Sequence, residues 1–278
     1  MSAHAALNPG VRRREVFGWA MYDFANSGYT TVVLTAVFNA YFVSTVAGGQ
    51  DWATLAWTLA LGASYAIVMV AGPIVGAWAD AHAAKKRALL LSTVGCVAGT
   101  AALALVGPGD VALAIALLIV SNVAYSMGEN LTASFLPELA RPAAVGKVSG
   151  WGWSLGYVGG LLALGLGLAW VMGADARGST AAQAVPGTML ITAAVFAAAS
   201  AFTFALLRER AVPVPASEVA SHAFARLART AKEALAYRDL LAVFACGTCY
   251  QAGVATVITL SAIYAEQVMG FETKDTIL

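Results

Sequence analysis

Seven apolar stretches, each long enough to cross a lipid bilayer, alternate with short connections on which the basic residues collect at every second position. A hydrocarbon core about 30 Å thick needs roughly 20 residues of helix. No water is present there to satisfy backbone N–H and C=O groups, so only helices or a closed barrel can span it. The stretches run from residues 17–43, 55–78, 88–106, 111–133, 148–172, 189–207 and 240–264, and their length predicts helices. The expected fold class is an all-α polytopic membrane protein. A composition of 60% apolar and 11% charged residues excludes an ordinary water-soluble core.

Charge sets the expected orientation. Arg12, Arg13, Arg14, Lys85, Lys86, Arg87, Arg141, Lys147, Arg208, Arg210, Arg226, Arg229, Lys232 and Arg238 fall on one side, against only Arg177 and Lys274 on the other. The positive-inside rule makes the first side, with the N-terminus, cytoplasmic in a multi-pass protein of an inner or plasma membrane. The net charge of +1 leaves no basic face beyond these clusters and argues against a nucleic-acid partner. Arginines before the first apolar run imitate a secretory signal, but that run is long, holds Asp23 and Asn26 and lacks a small-residue cleavage site, so it reads as a retained helix. Cys96, Cys246 and Cys249 lie inside spans, where the C-x-x-C pair reads as helix packing. His4, His82 and His222 have no second ligand at metal spacing, so neither a metal nor a cofactor is expected.

Three parts are expected. Residues 1–207 form an N-terminal six-helix bundle. Residues 208–238 form a cytoplasmic amphipathic linker, in which Phe224, Leu227, Ala231 and Leu235 recur at helical spacing. Residues 239–278 hold the first helix of a second bundle and an outside loop, and the chain stops where an eighth helix would begin, which reads as a truncated form. A seven-helix receptor or rhodopsin is disfavoured, because the seventh span has no lysine for a Schiff base and the N-terminus is inside.

The residues that carry chemistry are those a bilayer should exclude. In the first helix Asp23 is followed at helical offsets by Asn26, Tyr29 and Thr30. In the fourth, Asn122, Tyr125 and Glu129 follow i, i+3, i+7 spacing and share one face. A charge near the bilayer centre costs about 2.5–3.5 kcal/mol on insertion scales, so such groups face a cavity or a partner unless they reach the headgroups. The first helix runs outward and the fourth inward, which brings Asp23 and Glu129 toward the same half of the membrane. Tyr250 and Gln251 hold mid-depth positions in the seventh helix. Gly28-x-x-Thr31-Val32-Val33 in the first helix is echoed by Gly253-x-x-Thr256-Val257-Ile258 in the seventh, an offset that aligns Asn26 with Gln251, as repeated transporter halves would.

The second helix ends in Gly72-Pro73-Ile74-Val75-Gly76-Ala77-Trp78-Ala79-Asp80, followed by Lys85-Lys86-Arg87. This resembles the cytoplasmic gate motif of the major facilitator superfamily, with Ala81 and Ala83 where a base and a second glycine are usual. Gly18-Trp19-Ala20-Met21-Tyr22-Asp23-Phe24-Ala25-Asn26-Ser27, Phe135-Leu136-Pro137-Glu138-Leu139-Ala140 and the stretch Val148–Tyr157 resemble the branch of that superfamily related to the autophagy-linked vacuolar amino-acid effluxers. Gly152, Gly156 and Gly160 make consecutive G-x-x-x-G steps, which permit close helix packing.

The resemblance implies a twelve-helix relative whose first, fourth and seventh helices surround a central cavity. It also implies a secondary transporter that moves a small solute, an amino acid or similar metabolite, by alternating access in the lipid bilayer, with protons as a candidate co-substrate. Asp23, Asn26, Tyr29, Asn122, Tyr125, Glu129, Tyr250 and Gln251 would then bind solute, and Gly76, Asp80, Lys85, Lys86 and Arg87 would gate the inner side. The competing classes are an intramembrane enzyme using Asp23 and Glu129 as an acid/base pair, which lacks an accompanying Y-D and G-x-G-D signature, and a non-transporting scaffold or sensor.

Overall fold

The computed structural model describes residues 6–210, 229 and 232–271. Seven of its helices are long and apolar enough to cross a membrane. They are α1 (Arg13–Val46), α2 (Ala53–Ala81), α3 (Lys85–Leu105), α4 (Val111–Ala133), α5 (Val145–Asp175), α6 (Ala181–Leu206) and α7 (Arg238–Gln267). The chain is therefore an all-α polytopic membrane protein, as its apolar runs predict. The linker positions Phe224, Leu227 and Ala231, together with His4, His222, Lys274 and the final Thr276–Leu278, lie outside the described residues.

Observed helix ends lie within a few residues of the predicted ones, except that α6 begins at Ala181 rather than Met189. Thr180 explains the difference. Its side chain accepts from the Gln183 backbone at 3.3 Å while Gln183 Oε1 accepts from the Thr180 backbone at 3.0 Å. This reciprocal cap satisfies two free N–H groups, and it starts the helix ahead of Pro186, which falls in the second turn.

Helix α1 is the centre of the bundle and is not regular. It is α-helical over Arg13–Tyr29, turns to π-helix over Thr30–Ala36, has one α turn at Phe38–Tyr41 and turns to π-helix again over Phe42–Val46. Neither glycine nor proline lies in residues 30–46. Hydroxyl and amide side chains instead compete for the helical carbonyls: Thr30 Oγ1 donates to Asn26 O at 3.1 Å, Thr31 Oγ1 to Ser27 O at 2.6 Å, and Asn39 Nδ2 to Thr35 O at 2.8 Å. Such back-bonding bends helices, and single π turns mark places where a helix has been widened.

Large side chains of α1, among them Tyr22, Tyr29, Phe38 and Phe42, are fully buried. Its most extensive neighbours are α5 and α6, while α4 packs on α2 and α3. The α1–α5 seam is made by bare glycines. A Cβ on Gly156 would meet Ser27 Oγ at 2.8 Å, one on Gly160 would meet Thr31 Oγ1 at 3.0 Å, and one on Gly159 would collide with the Phe24 carbonyl. The polar stripe Asp23, Ser27, Thr31 thus lies in the groove that these glycines open.

The basic end of the bundle is knitted together by loop charges. Glu138 Oε1 accepts from Lys85 Nζ at 3.0 Å and its Oε2 from the Arg210 backbone at 3.2 Å. Arg210 also pairs with Glu15 at 2.6 Å. The Glu209 carboxylate accepts from the Lys85 and Lys86 backbones at 2.6 and 3.2 Å, capping α3. Ahead of α1, Leu7 bridges Ala140 and Asn8 Nδ2 donates to Pro137 O at 2.9 Å.

Helix α7 stands apart, with none of its apolar window buried and only Ala262 and Ile263 covered. It meets the C-terminal half of α1, where Asn39 Nδ2 donates to Thr259 O at 3.2 Å.

Candidate solute-binding face

Two of the sequence-predicted residues, Tyr29 and Tyr125, meet between α1 and α4, with Asn26 and Asn122 one turn away from them on their own helices. The rings of Tyr29 and Tyr125 stack with centroids 4.8 Å apart and planes 24° from parallel. Both hydroxyls are engaged: Tyr29 Oη pairs with Ser121 Oγ at 2.9 Å, and Tyr125 Oη pairs with Thr30 Oγ1 at 3.0 Å. Asn122 Nδ2 donates to Ser64 Oγ of α2 at 2.6 Å, but its Oδ1 has no partner among the described residues although it is fully buried. Asn26 shares the α1 face of Tyr22, Tyr29 and Thr30 by helical spacing. It is 5% exposed, and neither its Nδ2 nor its Oδ1 has a hydrogen-bond partner among the described residues.

Asp23 and Glu129 lie on the same side of the bundle as this group. Asp23 is half-buried, its carboxylate against the bare Cα of Gly152, which a side chain there would obstruct. Glu129 is more exposed and lies within electrostatic reach of Asp23, Tyr22, Tyr65 and Tyr125. The three salt bridges among the described residues are Lys85–Asp80, Lys85–Glu138 and Arg210–Glu15. Asp23 and Glu129 take part in none of them.

The expected convergence of three helices is not what the structure brings together. Tyr250 and Gln251 are exposed on α7, and no hydrogen bond among the described residues ties them to α1 or α4. The shallow groove that Tyr250 lines is made of α7 residues alone. The physical reason is that α7 meets the bundle toward its C-terminal end, where Asn39 Nδ2 donates to Thr259 O and Ile263, Glu266 and Gln267 lie beside Val43, Ser44 and the α1–α2 connection, while the part carrying Tyr250 is uncovered.

The gate residues separate into different roles. Gly76 and Asp80 line a groove of about 340 Å³ between α2 and α4, together with Gly72, Lys85, Met127 and Asn130. A Cβ on Gly76 would meet nothing within contact distance. Lys85 Nζ lies 3.6 Å from Asp80 and 3.0 Å from Glu138, so one ammonium serves both carboxylates. Lys86 Nζ donates to Leu207 O at 2.6 Å, which fixes the end of α6, and Arg87 is exposed. Sequence reasoning missed Glu15, Glu209 and Arg210 as partners. The only signal for Glu138 was its place in the quoted stretch Phe135–Ala140. Among the described residues no group of His, Cys, Asp and Glu could hold a metal ion.

A family model described as "Vacuole effluxer Atg22 like" matches residues 43–278. The matched stretch holds Asn122, Tyr125 and Glu129 and begins beyond Asp23, Asn26 and Tyr29. The uncharacterised MFS-type transporter YxiO of Bacillus subtilis (strain 168) is 29% identical over 256 residues, which cover 88% of this chain and 59% of that protein. The chain thus spans a little under three-fifths of this relative's length. No solved structure matches the chain. With a match over most of its length and a polar α1–α4 face inside a helical membrane bundle, the chain belongs to the Atg22-like vacuole effluxer family of major-facilitator-type transporters.

Proposed function

We propose that this secondary transporter carries a small polar solute, an amino acid or a close analogue, on the α1–α4 face, and that it does so by alternating access. The observation that carries the reading is the Asn26 amide, which is buried with neither polar atom paired among the described residues. An unsatisfied buried polar group costs about 1–3 kcal/mol. A solute that accepts from Nδ2 and donates to Oδ1 would remove that cost, and the free Asn122 Oδ1 offers a second acceptor nearby. Asp23 and Glu129 supply negative charge that a substrate ammonium can neutralise. Stacked Tyr29 and Tyr125 form a rigid wall beside them.

In this reading the basic end is cytoplasmic, following the positive-inside rule. Asp80 and Lys85 then stand at the inner mouth, with Lys85 held ready by Glu138. Tyr250 and Gln251 of α7 would reach the face only when α7 moves about its Asn39–Thr259 attachment. Repeats that rock about a midplane site are the general mechanism of such carriers.

The test is solute binding to the purified 278-residue chain, followed by flux in proteoliposomes, with a panel of L- and D-amino acids. Saturable, stereoselective binding that falls at least tenfold in Asp23→Asn or Glu129→Gln, with folding retained, supports the reading. Binding that is absent across the panel, or is unchanged in both variants, overturns it.

A further inference from the structure

On another side of the bundle, at its basic end, α1 and α5 enclose an apolar groove of about 370 Å³. Its walls are Leu7, Val16, Phe17, Trp151 and Leu155, with Arg13 at its mouth. Trp151 carries a second cation, since the Lys147 ammonium lies 5.8 Å from the centroid of its ring. Arg13 and Lys147 are both exposed, and neither enters a salt bridge among the described residues. From Arg13 to Ala20, the deepest α1 residue lining the groove, is about 10 Å along the helix. The cavity therefore has two uncompensated positive charges at one end and hydrocarbon walls running inward from them.

Its direction decides what can fill it. Phe17 and Asn26 are nine positions apart, which at about 100° per residue places them on opposite sides of α1. Phe17 is 47% exposed and meets Phe202 of α6 edge-on, with ring centroids 6.5 Å apart. The groove thus opens away from the polar α1–α4 face, between spans, at the level where the basic residues meet the membrane surface. An occupant needs a negative head and a hydrocarbon tail. The geometry points to a binding site for one anionic phospholipid of the leaflet at the basic end. Its phosphate and anionic headgroup sit between Arg13 and Lys147, and an acyl chain lies along Phe17, Trp151 and Leu155. Charge complementarity selects an anionic over a zwitterionic lipid, because each basic residue near the surface favours anionic headgroups by about fivefold. Holding Lys147 against the Trp151 ring makes that residue a direct reporter of occupancy.

The experiment measures quenching of tryptophan fluorescence by brominated phosphatidylglycerol or brominated phosphatidylcholine, with the full chain in phosphatidylcholine bilayers. The Trp151 signal is isolated as the difference between the chain and its Trp151→Phe variant, since the chain has 7 tryptophans. The expected result is a phosphatidylglycerol preference of about tenfold or more at Trp151 that falls to about twofold in Arg13→Gln/Lys147→Gln. Should the double variant fail to fold, salt on the unaltered chain serves instead: raising ionic strength must shrink the preference. Equal quenching by the two lipids, a preference that survives both the double substitution and salt, or a Trp151 that neither lipid reaches because protein covers the groove, each overturns the assignment.

Discussion

Tyr22 of α1 occupies the space that a side chain on Gly128 of α4 would need. A Cβ at residue 128 would collide with the Tyr22 hydroxyl and lie 3.2 Å from Cζ, and the same hydroxyl is held by Thr93 Oγ1 at 3.0 Å. Fully buried Tyr22 also meets Phe196 of α6 edge-on, so it cannot swing aside without disturbing three helices. Gly128→Ala is expected to lower stability by about 1–3 kcal/mol through overpacking. Gly165→Ala, where nothing lies within contact distance, is expected to be neutral or slightly stabilising. Thermal unfolding of both variants in detergent checks the contrast, and equal midpoints would mean that this contact is not tight.

The pair between Arg210 and Glu15 holds the most deeply buried charge among the described ion pairs, with the Glu15 side chain 1% and the Arg210 side chain 30% exposed. Arg210→Gln leaves Glu15 with the Arg12 backbone N–H, at 3.1 Å, as its one remaining partner among the described residues. Stranding a buried carboxylate costs roughly 3–5 kcal/mol, and partial exposure of the arginine places this case toward the low end. The double variant Glu15→Gln/Arg210→Gln should recover part of the loss. Unfolding temperatures of the single and double variants measure both effects. Because the pair is largely shielded, the midpoint of the unaltered chain should hardly move as salt rises.

What could be read from the chain alone follows from how far each signal travels along it. The spans were legible because apolar length is a local property and the alternation of lysine and arginine reports on it again. The α1–α4 group of Tyr29, Asn122 and Tyr125 was legible because helical spacing aligns residues before any tertiary contact is known. The α1 π turns were not, since no glycine or proline marks them and Asn39 reads the same whether it bonds its own helix, a neighbour or both. The charged plate was equally hidden: Glu138 and Arg210 meet across 72 positions. In sequence each is only another loop charge, fully accounted for by topology. Tyr250 and Gln251 were chosen as polar residues at mid-depth, with the echo of the first helix in support of Gln251, and their exposure on α7 shows that polarity at mid-depth does not by itself say which surface a residue faces.

Glu209 offers a separable test of the same plate. Its carboxylate accepts from two of the first N–H groups of α3, those of Lys85 and Lys86, which no backbone carbonyl of that helix can satisfy. The negative charge also lies at the positive end of the helix dipole. Glu209→Ala should destabilise by about 0.5–2 kcal/mol, the range for loss of a cap, and Glu209→Gln by less. Hydrogen exchange localises the effect: protection should drop in the first turn of α3 and stay unchanged in α4. Uniform loss throughout the bundle would instead mean that Glu209 acts on global stability and does not serve as a local cap.

Asn26 separates a structural amide from a functional one. A side chain that builds the fold costs stability when removed, whereas one whose donor and acceptor are both unpaired contributes its desolvation penalty and little else. Asn26→Leu, of similar volume, is therefore expected to leave the unfolding midpoint unchanged or to raise stability by about 1–3 kcal/mol. If the amide binds solute, the same variant should weaken binding by at least tenfold, since about 1.4 kcal/mol is a factor of ten. Asn39→Leu supplies the opposite pattern: Asn39 is fully buried and spends its Nδ2 on Thr35 and Thr259, so its loss should lower stability. Unfolding midpoints and solute-binding isotherms on the two variants give four numbers. A stable, non-binding Asn26→Leu beside a destabilised Asn39→Leu is the expected outcome, and a destabilised Asn26→Leu would assign that amide to the scaffold.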